Sequence, residues 1–467
     1  MRDFAGQDLR NWVSKKAMRD FDFSEKQAKE FADIEIGFQQ LVFARKPEHF
    51  RNGLFLLEEN GDEGQRYIDA YQTLARRSEF LQQSLEEDAK AAFFQLQLYP
   101  LRTCADAAAK FIYADKAALY AEQKRGGCVN WYAAESDAAY YRTVQDTLQY
   151  EKQRQGKWRW IMDPWQSAFR KRGAVLPNLL SAGRVASLDY ADLGIASEKP
   201  FHVFRGAAEK RFLDLYNRGS GFVEWWIESA PEWLKFSERQ GIVCRDQRIW
   251  ISLDWERVPQ DSFDTEIVIC WYNSEKRLCK KIEVFHVENI RIEEFPQKTY
   301  FETDGKILIP AALPSQTFRD PDAEVLWLIQ HDLGRMGISL RSEKAEFADD
   351  DGRKAVSASQ VRYSVWFALS GSYQLKLYRL PTLNERGMQR MEIGLDNQNG
   401  KTLFGNAVTG TEKWAKGVLE NVEVLETEIA VSSAGYHEIT LNPIDSGCVI
   451  EKIELRRKNG KDVRVNP

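Results

Sequence analysis

Little in this sequence invites metal, disulfide or cofactor chemistry. Its six cysteines, Cys104, Cys128, Cys244, Cys270, Cys279 and Cys448, are scattered without a C-x-x-C pair, and its five histidines stand apart. That excludes a disulfide framework and a zinc site, and no cofactor is expected. No apolar run approaches the ~18 residues of a membrane span, so no membrane partner is expected. A basic excess is lacking as well. Lys and Arg number 65 against 70 Asp and Glu, a net charge of −5, which argues against a nucleic-acid partner. The opening residues, Met1-Arg2-Asp3-Phe4-Ala5-Gly6, lead into no apolar h-region and are not a signal peptide. Taken literally, the chain stays in the cytoplasm.

What is present is length and aromatic side chains. A chain of 467 residues with 43% hydrophobic content is too long for one core and predicts two to four domains. Phe, Trp and Tyr make up 12% of it. Such richness suits sugar binding, because aromatic faces match the C–H faces of pyranose rings, and it suits well-packed β-sandwiches equally.

The hydrophobic period divides the chain. Ser24 and Gln27 form a capping box ahead of Phe31, Ile34, Phe38, Leu41 and Val42 at helical spacing. Asn60-Gly61-Asp62-Glu63-Gly64 breaks that pattern. A long helix follows through Tyr67, Tyr71, Leu74, Leu81 and Leu85, and Pro100 ends it or marks a break. An alanine-rich helix stops at Gly126-Gly127, and a third runs from about Ser136 to Gly156: an antiparallel helical bundle. After Asn178 the period becomes two. Residues 224–227, 248–255 and 266–272 read as strands of one sandwich; 306–309, 361–366, 373–378 and 451–455 read as strands of a second. The fold class is therefore a helical bundle followed by two β-sandwich domains.

Between the two regimes lies Gly156 to Asn178, a joint carrying Trp158, Trp160 and Trp165 with Arg159, Arg170, Lys171 and Arg172 interleaved. Interdomain packing explains such tryptophans. A sugar platform explains them too, with Arg159 and Arg170 available to pair a uronate carboxylate. Trp158, Trp160, Trp165, Arg159 and Arg170 are accordingly the candidate carbohydrate-binding residues.

Other motifs carry less. Asp254 and Glu256, two apart on an expected strand, would share a face at about 6.5–7 Å, the separation of an inverting carboxylate pair; two solvated carboxylates at a strand end is the plainer reading. Gly394 to Thr402, GLDNQNGKT, has five residues rather than four before Gly-Lys-Thr, and Asn399-Gly400 reads as a hairpin turn instead of a phosphate loop. His331-Asp332 has no Ser or Cys elbow beside it.

Gly156-Lys157-Trp158, then Leu176-Pro177, belong to a wider pattern. Arg45-Lys46-Pro47-Glu48, Phe93-Phe94 with Tyr99-Pro100, Tyr216-Asn217-Arg218-Gly219, Ser229-Ala230-Pro231-Glu232-Trp233-Leu234, Leu333-Gly334-Arg335-Met336-Gly337, Leu380-Pro381-Thr382-Leu383 and Val449-Ile450-Glu451-Lys452-Ile453 complete it in order. Together they resemble the C-terminal half of the family 115 glycoside hydrolases, the xylan α-glucuronidases, over essentially the whole chain. The resemblance implies a helical remnant of a (β/α)8 barrel at 1–65, the bundle at 66–187, an immunoglobulin-like (BACON-like) sandwich at 195–300 and a C-terminal sandwich at 301–467. It places the catalytic barrel ahead of Met1, so no residue here is expected to inherit a catalytic role. Where the family shows His-x-Gly-Tyr after Gly-Lys-Trp, this chain has Trp165-Gln166-Ser167-Ala168-Phe169.

The implied function is the non-catalytic portion of an α-glucuronidase-like hydrolase acting on glucuronoxylan. Its implied partners are a catalytic-barrel polypeptide, a second copy in a homodimer, and the plant polysaccharide. Family members usually act outside the cell. The alternative is a stand-alone polysaccharide-binding protein. A helical N-terminus that docks on a barrel should carry surplus apolar side chains; Phe4, Trp12, Phe21, Phe23, Phe50, Leu54, Phe55, Leu56 and Leu57 are expected to be that surplus.

Overall fold

The computed structural model describes residues 9–58, 61–162, 188–199, 201–204, 210–273, 275–289, 298–302, 305–331, 333–334, 337–348, 357–382, 389–396, 400–405, 408 and 410–458. The chain divides into two compact units, Val13–Phe38 with Pro47–Arg291 and the remainder. Among the described residues six α-helices come first: α1 (Leu9–Phe21), α2 (Glu25–Ala44), α3 (Glu63–Gln83), α4 (Glu87–Phe93), α5 (Tyr99–Glu122) and α6 (Gly126–Gly156). The capping box forms as expected, Ser24 N–H donating to Gln27 Oε1 at 3.0 Å and Gln27 N–H to Ser24 Oγ at 3.4 Å.

Most of the aromatic surplus expected near the N-terminus is consumed internally. Phe21 and Phe23 cluster with Phe31 and Phe93 at ring separations of 5.2–6.2 Å. Phe55 packs on Tyr67 at 4.8 Å and Phe50 on Tyr67 at 6.1 Å. Leu57 lies over Gly64, where a Cβ would come within 2.7 Å of it. Trp12 and Leu56 remain exposed, at 46% and 45%; Phe4 is outside the described residues.

The long helix expected from Tyr67 to Pro100 breaks at residues 84–86, between α3 and α4, whereas Pro100 itself neither ends a helix nor interrupts it outright. Phe94–Leu98 form one π-turn, with the Tyr99 N–H reaching back to Phe94 O, and Pro100 sits in the first turn of α5. The wide turn gives room for a ring that would strike the carbonyl four residues back. α6 begins at Gly126, ten residues earlier than the period indicates. Gly126-Gly127 opens a helix instead of stopping one, and Gly127 lies beside the backbone oxygens of Asn217 and Gly219, about 4 Å from its Cβ position. That contact is tertiary and leaves no local period.

Among the described residues nine strands follow in the unit that holds α3 to α6: β1 (Leu193–Ser197), β2 (His202–Phe204), β3 (Lys210–Asn217), β4 (Val223–Ser229), β5 (Leu234–Phe236), β6 (Gln240–Val243), β7 (Asp246–Leu253), β8 (Asp261–Tyr272) and β9 (Leu278–Asn289). They form two sheets, β1-β3-β7-β5 and β2-β9-β8-β4-β6, facing across a core that includes Leu213, Trp225, Ile251, Ile267 and Phe285. Tyr216-Asn217-Arg218-Gly219 closes this sandwich. The buried Asn217 amide donates to Gly221 O at 3.0 Å and accepts from Asp192 N at 3.2 Å and Gly219 N at 3.0 Å.

The bundle and the sandwich share a buried ionic cluster. Lys116 of α5 donates to Asp62 at 2.8 Å, Arg248 of β7 to Asp62 at 3.1 Å and to Asp214 of β3 at 2.8 and 3.1 Å. Arg125 reaches Asp214 at 3.3 Å, its guanidinium 4.0 Å from the Tyr120 ring centre and 4.3 Å from that of Tyr216.

The other unit holds β10 (Tyr300–Phe301), β11 (Lys306–Pro310), β12 (Gln316–Phe318), β13 (Val325–His331), β14 (Ile338–Lys344), α7 (Ala345–Ala348), β15 (Ser357–Ala358), β16 (Gln360–Phe367), β17 (Gly371–Arg379), β18 (Gln389–Leu395), β19 (Lys401–Gly405), α8 (Glu412–Glu420), β20 (Glu423–Val431), β21 (Gly435–Pro443) and β22 (Val449–Arg457). One sheet runs β10-β16-β21-β18-β19 with β12 beside β16; the other runs β15-β13-β14-β22-β17-β20 with β11 beside β22. Between them lies an apolar core around Trp327, Tyr363, Tyr373 and Ile453. Its buried polar tips are satisfied, Trp327 Nε1 donating to Leu441 O at 3.1 Å and Tyr363 Oη to Ala311 O at 2.6 Å. The last turns of α2 belong with this unit, where Asn421 Nδ2 donates to Phe43 O at 3.0 Å.

Candidate functional site

Three consecutive left-handed residues end α6: Arg154 (φ 50°), Gln155 (φ 59°) and Gly156 (φ 81°). They turn the chain off the helix axis, and the next residues form tight turns. Arg159 N–H donates to Gly156 O at 3.0 Å and Ile161 N–H to Trp158 O at 3.2 Å. Trp158, Arg159 and Trp160 are thereby brought onto one short projection. Trp165 and Arg170, the other two candidates, lie outside the described residues, as do Lys171 and Arg172.

Each indole has a cation beside it. Lys157 Nζ stands 4.8 Å from the Trp158 ring centre, and the Arg159 guanidinium 6.0 Å from that of Trp160. Trp158 is half-buried, whereas Trp160 is 61% exposed, with Ile161 and Met162 exposed after it. Trp160 also holds φ at 69°, a conformation that costs a side-chain-bearing residue about 1–2 kcal/mol. A positive φ together with solvent exposure makes Trp160 a candidate for contact with a ligand.

Leading up to this projection, the solvent face of α6 carries an open groove of about 550 Å³ lined by Gln145, Leu148, Gln149, Lys152 and Gln153. Three carboxamides and an ammonium there, followed by two indoles and the Lys157 and Arg159 cations, form a set that can hydrogen-bond hydroxyls, stack on a sugar face and pair a carboxylate. The groove was not legible in the sequence, where Gln145, Gln149 and Lys152 look like an ordinary solvated helix face.

The remaining motifs do not assemble into chemistry. β7 ends at Leu253, so Asp254 and Glu256 lie in a turn and share no strand face. The Arg257 N–H closes that turn on Asp254 O at 2.9 Å, and the Asp254 carboxylate pairs with Lys235 at 3.0 Å. Gly394 to Thr402 spans the β18–β19 hairpin, paired from Gln389↔Gly405 to Ile393↔Lys401; Asn399 is outside the described residues. His331 ends β13 exposed, and Asp332 is outside the described residues. Among the described residues no group of three or more His, Cys, Asp or Glu side chains is placed to hold a metal ion, and no helix is long and apolar enough to cross a membrane.

Two groups of the bundle are shifted toward neutral pH. Burial pushes the Asp106 carboxyl up to about 6 against the opposing charge of Arg142, whose Nε donates to it at 2.8 Å. Burial also lowers Lys110 to about 8. Neither borders the groove or the tryptophans.

Comparison with known proteins places this geometry. Residues 299–464 match the family described as the glycosyl hydrolase family 115 C-terminal domain. A solved family 115 4-O-methyl-α-glucuronidase, with specificity for decorated arabinogalactans, matches 98% of this chain at 14% identity and a TM-score of 0.56. This chain covers 43% of that one's length. A Bacteroides uniformis β-glucuronidase matches 58% of the chain and 30% of its own at 12% identity, TM-score 0.25. The C-terminal family 6 carbohydrate-binding module of a Zobellia galactanivorans laminarinase matches 32% of the chain and 99% of its own at 16% identity, TM-score 0.21. No curated protein matches the sequence. The 0.56 match establishes a shared fold for the bundle and both sandwiches, and the domain match is specific to one family. Residues 299–464 thus match the family 115 C-terminal domain, and the chain as a whole shares its fold with a family 115 glucuronidase.

Proposed function

We propose that this chain is the non-catalytic C-terminal portion of an α-glucuronidase-like hydrolase of glucuronoxylan. It supports a catalytic barrel carried by another polypeptide or by sequence ahead of Met1. The supporting observation is a family 115 C-terminal domain in a chain whose fold follows a family 115 glucuronidase over 98% of its length. Leu9 and Trp12, one helical turn apart on α1 and 50% and 46% exposed, are apolar side chains open to a barrel. The test combines the purified chain with a separately expressed family 115 barrel and measures release of 4-O-methylglucuronate. Glucuronoxylan is the expected substrate, with decorated arabinogalactan run beside it because the solved relative takes that polymer. The chain alone should release nothing and the mixture should. A barrel equally active without the chain overturns the proposal.

A second reading is polysaccharide binding without hydrolysis, favoured by the exposed Trp160 beside Arg159. Its test is retention of the chain on insoluble glucuronoxylan. Trp160→Gly should abolish retention while leaving the melting temperature unchanged or raised, since glycine accepts a φ of 69° without strain. Undiminished retention in that variant removes Trp160 from any glycan site.

A further inference from the structure

The segment ahead of α3 lies along the bundle and is fastened at both ends by aromatic packing. Phe50, buried, stands 6.1 Å from the Tyr67 ring, and Phe55 stands 4.8 Å from it. Between these anchors the fastening is polar. Asp115 of α5 accepts from Asn52 Nδ2 at 2.7 Å through Oδ1 and from the Gly53 N–H at 2.8 Å through Oδ2. Burial pushes the Asp115 carboxyl up, and these two donors pull it back. One carboxylate thus holds both the Asn52 side chain and the next backbone nitrogen.

Those two groups are the reactants of a spontaneous reaction. In an Asn-Gly pair the glycine has no Cβ to shield its nitrogen from the preceding carboxamide. Gly53 is open in just this way, with φ at 73° and no atom within 4 Å of where a Cβ would sit. Its nitrogen gives its proton to hydroxide and attacks Asn52 Cγ. The new C–N bond closes a five-membered succinimide, the Cγ–Nδ2 bond breaks, and ammonia leaves with a proton from water. Water then opens the ring at either carbonyl, giving aspartate or isoaspartate. Asp115 opposes this at two points. Its negative charge beside the Gly53 N–H disfavours loss of that proton, and pinning Nδ2 restricts the rotation by which Cγ turns toward the nitrogen. A second Asn-Gly pair in the same unit, Asn60-Gly61, has the same kind of guard: the Gly61 N–H donates to Glu198 Oε1 at 2.7 Å.

We propose that Asn52-Gly53 is a latent deamidation site, kept unreacted by Asp115 in the folded chain, whose modification releases this segment from α5 for good. The product puts a carboxylate where Nδ2 donated, so two like charges meet at hydrogen-bond distance and Asp115 loses one of the donors that offset its burial. Isoaspartate also lengthens the main chain by one carbon between residues 52 and 53, which moves the Gly53 N–H off Oδ2. Local opening admits the chemistry, and the chemistry prevents reclosing. The inference rests on neither the barrel nor the glycan reading.

Peptide mapping of the full chain tests it. The folded protein and the same protein in urea are incubated at mildly alkaline pH and digested with trypsin, which releases residues 52–66 as one peptide. Fragment masses there separate conversion at Asn52 from conversion at Asn60. Asn52 should convert at least about tenfold more slowly in the folded protein than in urea, because reaction waits for the clamp to open. Asp115→Asn keeps the side chain's shape. It should raise the folded-state rate at Asn52 by about tenfold, with the circular dichroism spectrum and the rate in urea unchanged. Asn52→Asp should show the release directly, as chymotryptic cleavage after Phe50 and Phe55 several-fold faster than in wild type. Equal rates at Asn52 in folded and denatured wild type overturn the proposal, as does a folded Asp115→Asn variant no faster than wild type. Unchanged cleavage in Asn52→Asp also overturns it, since the modified segment would then re-close.

Discussion

Arg248 grips Asp214 with two nitrogens, Nε to Oδ1 at 2.8 Å and Nη2 to Oδ2 at 3.1 Å, while its third nitrogen reaches Asp62 at 3.1 Å. One β7 side chain thus joins its own sheet to the cap of α3, whose N-cap is Asp62. Burial is the largest single influence on the Asp214 carboxyl and pushes it up. The hydrogen bonds and charge of Arg248, with Arg125 and Lys116 beyond, outweigh it and hold the group below its usual range. Removing the carboxylate would take from Arg125 its ion-pair partner and leave Arg248 only Asp62. Asp214→Ala should therefore cost about 3–5 kcal/mol, read as a fall in the urea midpoint. A cost below about 1 kcal/mol would mean that water enters the cluster freely.

None of that network was legible beforehand. Asp62, Lys116, Arg125, Asp214 and Arg248 are spread over 187 positions, and each looks locally like a surface charge. What the sequence did carry was periodic. The Ser24 capping box, the core-facing repeats of α3 and the alternation in β16, β17 and β22 all depend on neighbours within a few residues. Their elements appear where the period puts them. Readings failed where the local pattern does not carry the outcome: Gly127 opening a helix beside the Asn217 loop, Pro100 absorbed by a π-turn, Asp254 leaving its strand to pair with Lys235. At the candidate site, the tryptophan-arginine projection was legible from composition. The adjoining α6 groove was not, because Gln145, Gln149 and Lys152 look in the sequence like an ordinary solvated helix face.

Asp106 makes the bundle's stability fall as pH rises. Its folded-state carboxyl titrates near 6, above the roughly 3.9 of an unfolded aspartate, so between these values the folded state holds a proton that the unfolded state has released. The contribution is present in full below about pH 4 and lost as pH climbs through 6. Asp106→Asn keeps an oxygen for Arg142 Nε and removes the charge. The variant should match wild type at pH 4 and exceed it at pH 7.5 by on the order of 2 kcal/mol. Chemical denaturation at the two pH values measures this; a difference independent of pH would show that Asp106 stays ionised throughout.

The tetrapeptide Tyr216-Asn217-Arg218-Gly219 has a structural reason for three of its residues. Asn217 is fully buried, and its amide serves both strands of the loop: Nδ2 donates to Gly221 O and, at 3.4 Å, to Cys244 O, while Oδ1 accepts from the backbone of Asp192 and Gly219. Aspartate has the same shape but no donor, so Asn217→Asp would aim a buried negative charge at two carbonyl oxygens. Arg218 ties the loop to Asp192 through its own side chain at 3.0 Å. Gly219 admits no side chain, since a Cβ there would lie 2.0 Å from Tyr190 O, a backbone atom that cannot swing aside. Gly219→Ala must therefore move the 188–190 segment, where Leu188 bridges to Gly219. Each change should lower stability by about 2–4 kcal/mol, through lost buried hydrogen bonds in one case and backbone displacement in the other. The two variants should be less than additive, because both open the same loop. Denaturant midpoints of the singles and the double decide it: full additivity would mean that Asn217 and Gly219 act on separate parts of the fold.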